Sequence, residues 1–228
     1  MRVLIACFPK SGSTFLTELI GGLPDFKIES YVPVHERREH EMCEHAIAAC
    51  TGVNQVAQLH VRAHHHSAGL IERFEMVPIV LVRNIFDAAV SLADHTAHTD
   101  PAYPMAWFNR HHADLPQADR ILAVVDLALP WYFNFYLSWW HWRPDAFVTY
   151  EDIVLGDWRR KAEYLRSRGI PATDEDVQRA LRRIKPGETR LNVGRAGRGA
   201  ELIDAPTQER VRALTRHYPG VDFSPIGL

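Results

Sequence analysis

Cysteine is scarce in this chain. Cys7, Cys43 and Cys50 are the three in 228 residues, an odd number without C-x-x-C spacing, so neither a disulfide framework nor a zinc knuckle organises the fold. Reduced thiols and a cytoplasmic protein are the expectation. An excess of one charge is equally lacking. Lys and Arg number 26 against 28 Asp and Glu, a formal net charge of −2, which gives no global electrostatic case for nucleic acid or a membrane surface as partner. Long hydrophobic runs are missing too. The apolar stretch after Arg2 is cut short by Pro9 and Lys10, and no segment approaches membrane-spanning length, so neither a signal peptide nor a span is expected. Without internal repeats or low-complexity linkers there is no domain boundary to place. Residues 1–228 are therefore read as one domain, and 46% hydrophobic against 24% charged residues is ordinary for a packed core with a polar surface.

What is present starts at the N-terminus. Val3-Leu4-Ile5-Ala6-Cys7-Phe8 is an unbroken apolar run, too short for a helix and ended by a proline, which reads as a buried parallel strand. Pro9 and Gly12 mark a turn, and Phe15-Leu16-Thr17-Glu18-Leu19-Ile20 resumes at helical spacing until Gly21-Gly22. Strand, small-residue loop and helix form a phosphate cradle, because loop and helix N-terminal N–H groups converge where an anion can satisfy them. A nucleoside-triphosphate loop would read G-x-x-x-x-G-K-[ST]. This one does not. Lys10 precedes Gly12 by two residues, and Ser13 stands where that lysine should be.

Phe8-Pro9-Lys10-Ser11-Gly12-Ser13-Thr14-Phe15 resembles the 5′-phosphosulfate loop of the sulfotransferases that use 3′-phosphoadenosine 5′-phosphosulfate (PAPS), in a short form of that family. A second stretch agrees in order. Met76-Val77-Pro78-Ile79-Val80-Leu81-Val82 reads as the most convincing buried strand. A Mg²⁺-dependent NTPase would usually carry an Asp at such a strand end, and this strand delivers Arg83. Asn84 is placed to cap a following helix with Asp87 three residues on. Arg83 to Ser91 resembles the family's 3′-phosphate motif, an Arg and a Ser eight apart, here expected to flank the helix start. A third stretch, from Asn192 to Glu201, is rich in glycine and arginine and reads as a mobile lid. Arg195, Ala196 and Gly197 resemble the family's Arg-Lys-Gly with the lysine lost, and Arg198 is the residue at hand to replace it.

Gln55-Val56-Ala57-Gln58-Leu59-His60-Val61 alternates like a strand and puts His60 near its C-terminal end, the edge of an open α/β sheet that faces ligand. A neutral imidazole there can act as general base. The family's base sits in a Thr-His-Leu-Pro-like strand end, for which this chain has Leu59-His60-Val61-Arg62. A structural histidine is the other reading of His60, and His64, His65, His66 or a nearby Glu compete for the role. Trp131 to Trp140 is an aromatic helix for the core or an acceptor pocket. Glu151 and Asp152, in a segment resembling the family's Tyr-Glu-Asp, are read as structural.

The expected fold is α/β, one domain with a central, mainly parallel sheet flanked by helices. The resemblance implies sulfuryl transfer from PAPS, as co-substrate and without a metal, to a hydroxyl of a small-molecule or glycan acceptor. Lys10 and His60 would be catalytic. Lys10, Ser11, Gly12, Ser13, Thr14, Arg83, Ser91, Arg195, Ala196 and Gly197 would bind PAPS. A non-catalytic PAPS-binding or product-binding module is a second reading. A P-loop kinase is a third, against which Lys10 and Arg83 both argue.

Overall fold

The computed structural model describes residues 1–33, 39–98, 106–185 and 195–228. In β1 (Arg2–Cys7) successive side chains alternate between two faces, and both faces are apolar. Leu4 and Ala6, with Phe8 just beyond, belong to one hydrophobic cluster; Val3, Ile5 and Cys7 belong to another. A strand buried on both sides needs helices on both sides. Those are supplied by Ile85–His98, Gln117–Leu127 and Leu129–Trp142 on the first face, and by Ser13–Gly21, Trp158–Ser167 and Asp174–Arg183 on the second.

With β2 (Phe26–Ile28), β3 (Asn54–Leu59), β4 (Met76–Val82) and β5 (Phe147–Thr149), β1 forms a five-stranded sheet in the order β2-β3-β1-β4-β5. All four pairings are parallel. The expected fold is observed, and β2 adds an edge strand that the sequence pattern did not reveal. The register aligns the strand ends: Ala6 lies opposite Leu59 of β3, and Cys7 opposite Leu81 of β4. From β1 the chain leaves toward β2, whereas from β4 it leaves toward β5. The reversal opens a crevice beyond the C-terminal ends of β1 and β4, where open α/β sheets bind ligands. Lys10 and Arg83 follow those ends, and His60 follows the adjacent end of β3.

One expectation shifts by a few residues. β3 ends at Leu59, so His60 and Val61 lie just outside the ladder. Before β3 a short helix forms at Glu44–Ala49, and Glu36, Arg37 and Arg38 lie outside the described residues. The cap at Asn84 forms as expected, its Oδ1 accepting from Phe86 N and Asp87 N, and Thr173 likewise caps Asp174–Arg183 by accepting from Asp176 N. Among the described residues no single helix is long and apolar enough to cross a membrane.

Gly12 is where the fold most needs a glycine. Its φ is +86°, and a Cβ there would lie 2.7 Å from Tyr150 Cδ2 and 2.9 Å from Val154 Cγ2. Gly12→Ala should lower the free energy of unfolding by about 2–5 kcal/mol, summing a left-handed penalty of about 1–2 with overpacking of about 1–3. A urea unfolding midpoint unchanged from wild type would contradict this.

Candidate active site

The loop after β1 turns its carbonyl groups into the protein. Ser11 Oγ donates to Phe8 O (2.8 Å), Tyr132 Oη to Pro9 O (3.1 Å), Arg83 Nη1 to Lys10 O (3.3 Å), and Leu16 N to Gly12 O (3.3 Å). With these four carbonyls engaged internally, the loop turns its N–H side toward the crevice, where an anion can meet it. Ser13 opens the nine-residue helix Ser13–Gly21, whose first turn has no acidic residue to compete for that position. Lys10 has φ +67°, an uncommon backbone for a non-glycine residue and costly unless its surroundings impose it. Here Arg83 and Tyr132 fix the peptides on either side. Ser11 differs from expectation. It is fully buried and its hydroxyl proton is committed to Phe8, so it offers the crevice its backbone rather than its side chain.

Arg83 stands at the centre. It is only 7% exposed and stacks over Tyr150 with its Cζ 4.2 Å from the ring centroid. One arm donates to Lys10 O, and the other, Nη2, donates to Arg195 O at 3.1 Å. Its Nε is buried without a hydrogen-bond partner. Asp87, one helical turn on, lies 3.9 Å from Nη2. Its carboxylate does not close the expected capping box, since Asn84 N turns to Glu151 Oε1; instead Oδ2 accepts Gly197 N (2.8 Å) and Oδ1 accepts Gly199 N (2.6 Å). Gly199 packs so tightly that a Cβ would overlap Phe86 and lie 2.7 Å from Asp87 N. Residues 195–199 are thereby strapped to the helix that Asn84 caps. Asn192, Val193 and Gly194 of the expected lid lie outside the described residues.

Two expectations need correction here. Ser91 is 6% exposed but lies six residues into Ile85–His98, about 9 Å along the axis from its start at ~1.5 Å per residue, so it does not flank the helix N-terminus. Asp87 holds that ground instead. Arg198 is paired with Asp94 at 2.8 Å, both largely buried, and is not at liberty to replace the missing lysine. Arg195 keeps an exposed guanidinium paired with Glu201; Ala196 and Gly197 are exposed beside it.

His60 lies across β1 from Arg83. Its Nδ1 is 2.9 Å from Cys7 O, the last carbonyl of β1, and 3.5 Å from Cys7 Sγ. A carbonyl can only accept, so in the neutral ring Nδ1 carries the proton and Nε2 the basic lone pair. Burial pushes the Cys7 thiol up to about 11, opposed only in smaller measure by the polar side chains around it, Ser13 first. It stays a thiol at neutral pH. His64, His65 and His66 are exposed, and His66 Nε2 faces Met42 O at 3.1 Å. Among the described residues no group of three or more His, Cys, Asp or Glu is placed to hold a metal ion.

The sulfotransferase domain model matches residues 1–192 of the 228. The chain belongs to the sulfotransferase family. No curated protein matches it at significant sequence similarity. Among solved structures it is similar to the mouse sulfotransferase SULT7A1 complexed with PAP, with TM-score 0.71 and 16% identity over 98% of this chain and 86% of that one. It is also similar to retinol dehydratase in complex with retinol and PAP, with TM-score 0.60 and 14% identity over 97% of this chain and 82% of that one. Retinol dehydratase in complex with androsterone and inactive cofactor PAP gives TM-score 0.62 and 14% identity, over 97% of this chain and 81% of that one. At such identities the likeness is one of fold.

In this member of the sulfotransferase family the sheet brings the Lys10 loop, Arg83 and the 195–199 segment into one hydrogen-bonded unit, with His60 just past the end of the neighbouring strand. Sequence reasoning missed Tyr150, which floors both Gly12 and Arg83, and the strap made by Asp87. Asp87 gave a signal, an acid four residues after Arg83, but a capping role explained it locally. Glu151 behaves as the structural acid expected: Oε1 accepts Asn84 N at 3.4 Å, and burial raises its carboxyl above the usual range.

Asp87→Asn retains one acceptor and turns an N–H₂ toward a backbone N–H. It should cost about 1–3 kcal/mol of stability, the penalty for an unsatisfied buried donor. Hydrogen exchange at Gly197 and Gly199 should accelerate with it. Unchanged protection of those two amides would show that the carboxylate does not hold the segment.

Proposed function

We propose that this sulfotransferase moves a sulfuryl group from PAPS to the hydroxyl of a small alcohol or phenol, within a single domain spanning residues 1–228. A glycan hydroxyl is chemically equivalent as acceptor. The observation carrying this reading is the convergence of Lys10, His60 and Arg83 beyond the aligned ends of β1, β3 and β4. The crystallised relatives contain PAP, 3′-phosphoadenosine 5′-phosphate, and in two of them retinol or androsterone. The residues present suit such a doubly phosphorylated nucleotide. Arg83 Nε is a buried donor awaiting an acceptor, and the helix start at Ser13 bears no acid.

In this reading the backbone of residues 11–14 and the hydroxyls of Ser13 and Thr14 hold the 5′-phosphosulfate. Arg83, Arg195 and the N–H of Ala196 hold the 3′-phosphate, while Gly197, its own N–H given to Asp87, supplies the turn that brings them there, with Ser91 deeper on the same helix. Arg195 exchanges Glu201 for phosphate. Bound PAPS supplies a sulfuryl group, whose bond to the phosphate oxygen breaks as a bond to the acceptor oxygen forms. Lys10 neutralises charge developing on the departing oxygen, and His60 Nε2 takes the acceptor's proton. Fixed cations then do what a metal does in NTPases, and preorganised charge of this kind is commonly the largest catalytic contribution. A cytoplasmic setting accords with the free thiols.

PAP should bind in EDTA far more tightly than AMP by isothermal titration. Arg83→Ala should weaken PAP at least about tenfold, since a charge-assisted hydrogen bond is worth roughly 1.5–3 kcal/mol. Equal affinity for PAP and AMP would remove the 3′-phosphate assignment, and a strict Mg²⁺ requirement would favour a kinase.

Transfer of radiolabelled sulfate from PAPS to a panel of alcohols and phenols tests turnover itself. Lys10→Ala should lower kcat more than PAP affinity, because the charge it meets develops in the transition state. His60→Ala should lower kcat by about 10²–10⁴-fold with PAP binding nearly intact. Full turnover by His60→Ala would exclude it as the base. A chain that binds PAP and transfers nothing to any acceptor would be a binding module.

A further inference from the structure

His40 and His60 are joined reciprocally. His40 N donates to His60 O at 2.9 Å, and His60 N donates to His40 Nδ1 at 2.9 Å. The two rings lie nearly parallel, 14° apart with centroids separated by 5.4 Å. His40 is 4% exposed. A backbone N–H can only donate, so His40 Nδ1 carries a lone pair and the neutral ring bears its proton on Nε2.

The pairing answers a need created by the sheet. β3 ends at Leu59, so His60 lies past the last ladder residue and its N–H finds a partner in a side chain. His40 is itself fixed by its neighbour. Glu39 accepts Arg62 Nε (2.6 Å) and Nη2 (3.1 Å) through its two oxygens, and Trp131 Nε1 at 2.9 Å. Hydrogen bonds therefore define the His60 ring from two sides. Cys7 O sets the tautomer, while His40 sets the backbone position and covers one ring face.

We infer that His40 is a positioning residue for His60, holding its Nδ1–H on Cys7 O so that the basic lone pair stays at Nε2. The inference rests on the reading of His60 as general base, and it places the support for that base in the segment before Met42 rather than in the sheet. A base displaced by about 1 Å loses on the order of 10²-fold in rate, so a support of this kind matters even without touching substrate.

The test compares H40N, H40Q and H40A. Asn places Oδ1 near the position of Nδ1, Gln places its amide farther out, and Ala has no acceptor. With histidine labelled with ¹⁵N, long-range ¹H–¹⁵N spectra read the His60 tautomer directly, without acceptor or turnover. H40N should keep the Nδ1–H form of wild type, whereas H40Q and H40A should show mixed tautomers. Transfer from PAPS to 2-naphthol should fall by about tenfold or more in H40Q and H40A, with PAP affinity within about twofold of wild type. Should H40A not fold, the comparison of H40N with H40Q stands. A His60 tautomer in H40Q identical to that in wild type, or H40N as impaired as H40Q, would overturn the inference. Failure of the base reading looks different: His60→Ala would then keep full turnover, while the tautomer spectra still report whether His40 positions the ring.

Discussion

Arg83 holds together two parts of the chain that sequence keeps far apart. Its guanidinium bonds to the carbonyl of Lys10, 73 positions earlier, and to that of Arg195, 112 positions later. A buried cation needs acceptors, and peptide oxygens at two loop apices satisfy it while leaving the acidic partner, Asp87, at the longer distance of 3.9 Å. Tyr150 beneath adds a ring face. If a carboxylate instead gripped both arms of Arg83, a phosphate would have to displace it. Carbonyl partners keep the local charge positive, and that is what an anion site requires.

The sheet decides where this cation can act. Parallel strands end together, so their following loops share one edge, and the in-register ends of β1, β3 and β4 put three loops within hydrogen-bonding reach. Cys7 O receives His60 Nδ1 from one neighbour, while Lys10 O receives Arg83 Nη1 from the other. The first contact uses the last main-chain oxygen of β1, whose side chains from Val3 to Cys7 are fully buried, and the second uses a main-chain oxygen of the loop that follows it. The framework is therefore rigid where the candidate base and cation attach to it.

How much of this could be read beforehand follows from the range of each interaction. The apolar runs of β1 and β4, the Gly12 turn and the Asn84 cap depend on residues within a few positions of each other, and all were legible. β2 was not: three residues with one buried side chain give no period to detect. The tethering of residues 197 and 199 by Asp87 spans more than a hundred positions, and nothing in either segment announces it. Ser91 was put at a helix start because spacing from Arg83 says nothing about how far along the axis a residue rises. His40 sits in a charged stretch without periodicity, so its pairing with His60 appears only once β3 is seen to stop at Leu59. The family resemblance supplied the candidate roles of Lys10, Arg83 and Arg195. It supplied none of the contacts that fix them.

Asp87 holds the segment after Arg195 through the peptide N–H groups of Gly197 and Gly199. Main-chain groups are the same whatever side chain they carry, so the anchorage is blind to the identity of Ala196 and Ala200. Position 199, pressed against Phe86, is sterically fixed, and position 197, with φ +89°, favours glycine. The segment thus has an invariant hinge and an interchangeable face. Its outward side chains can be rewritten to suit a different ligand while the loop stays fastened, which makes it a natural place for a protein of this architecture to diversify.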